Sequence, residues 1–86
     1  MGVIEQGQLA GEFEGYEDQN TVFEFCSGGK WRQARFHFEY HYAYMPQAKV
    51  IQEDGKYVLY VSGAGKIEVE RAYVTMTTDL FSGSWI

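Results

Sequence analysis

One cysteine, one proline, few basic residues and no long apolar run narrow what this chain of 86 residues can be. The lone Cys26 cannot staple the fold internally, which fits a reducing compartment. No segment approaches the ~20 apolar residues of a membrane span, and Met1 to Gln8 has neither the charged nor the apolar region of a secretory leader. A cytoplasmic location is the resulting expectation. Seven Lys and Arg stand against twelve Asp and Glu, for a formal charge of −5. That balance argues against non-specific binding to nucleic acid or to an anionic membrane, both of which need a basic surface. No Gly-x-Ser-x-Gly or phosphate-loop pattern occurs, so neither an ordinary enzyme nor a cofactor is expected.

Aromatic residues are abundant, at 17% of the chain with seven Tyr and six Phe. They concentrate in Trp31 to Pro46, where Phe36, Phe38, Tyr40, Tyr42 and Tyr44 alternate with His37, Glu39, His41, Ala43 and Met45. A period of two is a strand's, because successive side chains point to opposite faces. Around this stretch, glycine-bearing turns divide the chain into strand-length pieces. Met1 to Gln6 reads as a loose lead-in, Leu9 to Tyr16 as a first strand and Thr21 to Cys26 as a second, the two pairing as a hairpin. Ser27-Gly28-Gly29 turns into the aromatic strand. Ala48 to Gln52 and Tyr57 to Val61 flank an Asp-Gly hairpin signal, and Lys66 to Arg71 alternates with Ile67 and Val69 inward.

These strands predict one all-β domain over residues 1–86, an antiparallel meander of about six strands forming a small, partly closed barrel or a strongly bent sheet. The tail, residues 72–86, either prolongs the last strand or carries one short helical turn starting at Thr78 or Asp79. Lys30 to Tyr44 would span ~50 Å if fully extended, too long for a domain of this size. The strand must therefore bend, bulge or reach a partner. A bend near Gln33 to Arg35 is indicated by a change of parity, since Trp31 is odd and the later rings are even. Pro46 removes a donor and ends the strand or sits at an edge.

Four candidate sites follow. His37, Glu39 and His41 share one face ~6.8 Å apart in succession, a donor set compatible with zinc or another divalent metal and equally with an ordinary polar face. The ring face near Lys30, Arg32 and Arg35 has the logic of a platform for a small ligand or for single-stranded nucleic acid, although neighbouring acidic residues oppose the latter and a buried core face is the plainer reading. Cys26 with His37 or His41 is a nucleophile pair in name, but nothing around it supplies an electropositive setting. The last candidate is self-association, with a homo-oligomer and foremost a dimer: Trp31, Phe36, Phe38, Tyr40, Tyr42 and Tyr44 are interface or ligand-binding residues on a strand longer than its domain can pair. An unknown protein or small-molecule partner stays open beside it.

Gly11-Glu12-Phe13-Glu14-Gly15-Tyr16, Thr21-Val22-Phe23, Gly29-Lys30-Trp31-Arg32-Gln33 and Tyr40-His41-Tyr42-Ala43-Tyr44-Met45-Pro46 together resemble a short bacterial domain. That family carries Gly-Glu-Phe-x-Gly-Trp, Thr-Val-Phe, Gly-x-x-Trp-x-Gln and Tyr-Ala-Tyr-x-Pro in this order, and Tyr16 replaces its usual Trp. The resemblance covers Leu9 to Arg71 and implies a shared scaffold without an activity. The chain also resembles products of bacterial integron gene cassettes, which implies oligomerisation. The function expected from all of this is that of a non-catalytic, self-associating interaction module.

Overall fold

Residues 2–72, the part of the chain that the computed structural model describes, form eight strands. They are β1 (Gly2–Gln8), β2 (Glu12–Tyr16), β3 (Val22–Glu24), β4 (Lys30–Gln33), β5 (Glu39–Tyr44), β6 (Gln47–Glu53), β7 (Lys56–Val61) and β8 (Lys66–Arg71). All the pairings are antiparallel, in a six-stranded sheet ordered β1-β6-β7-β8-β4-β3 and a two-stranded sheet β2-β5. No helix among the described residues is long and apolar enough to cross a membrane.

The local signals of the C-terminal half are realised as read. Asp54 and Gly55 both adopt positive φ, 49° and 77°, the backbone that a two-residue hairpin turn requires. The ladder runs unbroken from Glu53↔Lys56 to Ala48↔Val61. In β8, Ile67 and Val69 are buried while Glu70 is exposed. Ser27 to Gly29 joins β3 to β4 as a hairpin with Phe23 opposite Trp31.

Elsewhere the long-range pairings differ from a meander. The expected loose lead-in is β1, an edge strand paired with β6 over Gly2↔Gln52 to Gln8↔Gln47. Its side chains are mostly exposed, so it has no buried face to leave a period-two apolar signal. The expected strand Leu9 to Tyr16 is split: Leu9 bridges Phe25, and the chain turns at Gly11 (φ 71°) before β2 begins. β2 then pairs with β5, not with β3. The aromatic stretch is likewise two strands, with β4 in the larger sheet, β5 in the smaller, and the break at Ala34–Phe38 where the parity changed.

The two outer strands of the larger sheet, β1 and β3, are joined at one point just beyond their ends. Around the Leu9–Phe25 bridge, Ala10 N donates to Glu24 O at 2.8 Å and Cys26 N to Gln8 O at 2.9 Å. No ladder joins β1 to β3, so this is not a closed barrel. A carboxylate braces the gap instead. Glu5 of β1 accepts from Trp31 Nε1 at 2.8 Å and from Ser27 Oγ at 2.7 Å. Gly29 makes room for it, since a Cβ there would overlap the Glu5 carboxylate.

The core lies between the two sheets, with Trp31, Tyr16, Phe25, Leu59 and Val50 among its fully buried side chains. Tyr16 packs edge-on to Phe13 and Phe23 at centroid distances of 5.7 and 5.9 Å, contacts worth about 0.5–1.5 kcal/mol each beyond their buried area. One polar side chain, Gln33, is as buried as these. The tail expectations for residues 73–86, including the helical turn, lie outside the described residues; Ala72 N still donates to Lys30 O, at 3.1 Å.

Candidate functional site

Strand β5 divides the aromatic stretch from its supporting face. On the outward side, Phe36, Phe38, Tyr40, Tyr42 and Tyr44 are 72, 68, 68, 50 and 67% exposed. These rings are not core. Trp31, grouped with them as an interface residue, is 1% exposed and belongs to the interior instead. The parity change at the Ala34–Phe38 crossover sends Trp31 and the later rings to opposite environments.

Glycine sets the position of β5. Gly15 (φ 105°) lies against the backbone of β5 so closely that a Cβ would overlap the Glu39 carbonyl oxygen and stand 2.8 Å from His41 N. A bulge between Phe13 and Gly15 shifts the β2–β5 register. Phe13 opposite Ala43 then faces the core, and Glu12 opposite Tyr44 faces out. Glu14 is exposed as well. Partial desolvation, followed by the charge and hydrogen bonding of Glu12 and the charges of Tyr40 and Glu14, holds the Tyr42 hydroxyl above its usual 10.0. The outward surface is therefore a row of rings bordered by two carboxylates.

The other face of β5, with Glu39, His41 and Ala43, is half-buried. His37 Nε2 lies 3.1 Å from Glu39 Oε1, and Gly65 N donates to Glu39 Oε2 at 3.4 Å. The His37 hydrogen bond is the main reason that Glu39 sits below its usual 4.5. The His41 ring faces Phe13 at 6.4 Å, and a Cβ at Gly63 would come within 3.0 Å of its Nε2. His37, Glu39 and His41 thus share a face as the alternation predicts. No group of three or more His, Cys, Asp or Glu among the described residues is arranged to hold a metal ion. Cys26 is exposed in the turn after β3, whereas His37 and His41 pack near Tyr16 and Phe13. The pairing of Cys26 with a histidine is not formed there.

Two organising residues were not singled out from the sequence. Gln33 carried a faint signal, being polar at the inward parity of Trp31. Glu5 carried none, because its partners Ser27 and Trp31 are more than twenty positions away. No family model, no curated protein and no solved structure matches this chain.

Proposed function

We propose that the chain is a non-catalytic interaction module that self-associates along β5, two copies pairing these strands antiparallel about a two-fold axis. The observation that carries this reading is that β5 is hydrogen-bonded to a strand on one side only, by β2, among the described residues. An unpaired edge is a template for another strand unless Lys, Pro or a covering element blunts it. Glu39 to Tyr44 contains neither Lys nor Pro. A second copy completes the ladder and places the same patch on both subunits.

The exposed rings add to this. Pairing β5 with its copy sets two rows of Tyr40, Tyr42 and Tyr44 side by side at the ~4.8 Å strand spacing, and each cross-strand aromatic pair contributes about 0.2–1 kcal/mol. Glu12 and Glu14 lie on β2, at the outer margins of the resulting four strands, so the carboxylates of the two copies stay apart. They also disfavour a phosphate backbone on the ring face. The rings stand open to solvent, unlike the concave walls that bury a small ligand.

Sedimentation equilibrium at micromolar concentration tests the reading. The wild type is expected to be dimeric, and Tyr40→Lys/Tyr42→Lys, which sets like charges across the two-fold axis, monomeric with an unchanged circular dichroism spectrum. A wild-type chain that stays monomeric over the whole range overturns it.

A further inference from the structure

Several rings of this protein are provided with a cation from the chain itself. Lys49 and Lys66 each place Nζ 5.9 Å from the Tyr60 centroid, and the Arg71 guanidinium lies 4.8 Å from Trp31 and 5.4 Å from Tyr57. Arg32 and Arg35 are engaged by Glu70 and Glu68. The β5 rings differ. Neither β2 nor β5 contains a Lys or Arg, and no cation stands over Tyr40, Tyr42 or Tyr44 among the described residues. Residues 73–86 include no Lys or Arg either. What borders the rings is Glu12 and Glu14.

A ring face is attractive to cations because of its quadrupole, and an adjacent carboxylate reinforces the attraction. We infer that Tyr40, Tyr42 and Tyr44, with Glu12 and Glu14, form a docking face for an extended peptide segment of another protein that bears arginine or lysine at alternate positions. The spacing matches. Alternate side chains of an extended peptide repeat every ~6.8 Å, as do the rings on β5. Arginine suits the face better than lysine, since its planar guanidinium stacks on a ring while its N–H groups reach a carboxylate. The inference rests on reading the outward face of β5 as an interaction surface, and not on self-association: pairing at the β5 edge brings in only more Tyr and Glu and leaves the ring face open.

The test is a nuclear magnetic resonance titration with acetyl-(Arg-Thr)3-amide, with acetyl-(Glu-Thr)3-amide as control. Ring resonances of Tyr40, Tyr42 and Tyr44 are expected to shift and saturate with the arginine peptide only. Binding should weaken about two- to fivefold for each of Tyr40→Leu and Tyr42→Leu, which remove the π face. It should change by less than about twofold in Tyr40→Phe and Tyr42→Phe, which keep that face. Glu12→Gln/Glu14→Gln should weaken binding and flatten its salt dependence. Absence of ring shifts, equal response to the glutamate peptide, or affinity indifferent to the Leu substitutions overturns the inference. A monomer with ring-dependent peptide binding removes self-association alone, and a dimer whose rings ignore the peptide removes this inference alone.

Discussion

Gln33 and Glu17 hold each other in both directions: Glu17 N donates to Gln33 Oε1 at 2.9 Å, and Gln33 Nε2 donates back to Glu17 O at 2.8 Å. The same amide nitrogen reaches Arg35 O at 2.8 Å and His37 O at 3.1 Å. A single buried side chain thereby fixes the end of β2 and the crossover from β4 to β5. Arg35 O and His37 O lie in that crossover, outside any ladder, so the amide supplies to these carbonyls what a strand partner would otherwise give. The outward direction of the Tyr row depends on this clasp.

Gln33→Leu keeps the volume and removes every one of these bonds. The expected cost is about 1–3 kcal/mol, because the part-buried Glu17 N–H and the Arg35 and His37 carbonyls lose this partner together. Urea denaturation measures it. Amide exchange should accelerate at Tyr40 to Tyr44 more than at Leu59, since the clasp supports β5 directly. A loss under about 0.5 kcal/mol would show that the crossover holds itself.

Gly15→Ala and Gly11→Ala should separate close approach from backbone preference. Both glycines have positive φ, but a Cβ at Gly11 would meet nothing within 4 Å, while one at Gly15 would run into the main chain of Glu39 and His41. Main-chain atoms of a paired strand cannot swing aside. Gly11→Ala is expected to cost about 1 kcal/mol, and Gly15→Ala about 2–4 kcal/mol with loss of slow amide exchange in β5. Thermal melts of the two variants compare them directly.

Tyr16 predicts a sensitivity to alkali. Its hydroxyl donates to Gly65 O at 2.6 Å, and burial, followed by the nearby Glu39 charge, raises its pKa well above the usual 10.0. Because the folded-state value exceeds the unfolded one, the stability linked to Tyr16 is complete below pH 10 and falls as pH rises from there toward the raised value. Between about pH 10 and 11.5 the wild type should lose stability faster than Tyr16→Phe, which has no proton to release. Urea midpoints across that interval provide the check, and parallel curves would contradict the prediction.

Glu39 predicts the opposite dependence at acid pH. Its carboxylate is held below the usual 4.5, chiefly by the hydrogen bond with His37 and further by Gly65 N and the charges of His37 and His41. A depressed folded-state value means that its contribution is present above 4.5 and disappears as pH falls through the lowered value. Glu39→Gln should therefore show a shallower decline in urea midpoint below about pH 4.5 than the wild type.

Strand content was legible wherever one face is apolar or a turn has a fixed chemistry. β8 was readable from Ile67 and Val69, the β6–β7 hairpin from Asp54-Gly55, and the bend after Trp31 from a parity change. β1 was not, because an exposed edge strand held by backbone bonds and one carboxylate leaves no apolar period. The pairing of β2 with β5 was hidden for another reason. It joins segments more than twenty residues apart, and its specificity comes from the missing side chain of Gly15 and a bulge, neither of which alternation encodes.

The sequence by itself determined that this chain is antiparallel β, that several of its turns lie at glycines, and that Phe36 to Tyr44 has two chemically distinct faces. Only the tertiary structure decided which of those faces meets water. Hydrophobicity would turn the rings inward, yet Trp31, Tyr16, Phe13, Phe23 and Phe25 already fill the space between the sheets. The Gln33 clasp and the Gly15 contact then fix a register that presents His41 and Ala43 to that filled core. A period of two specifies alternation but not its sign, and the sign is set by the volume left in the core.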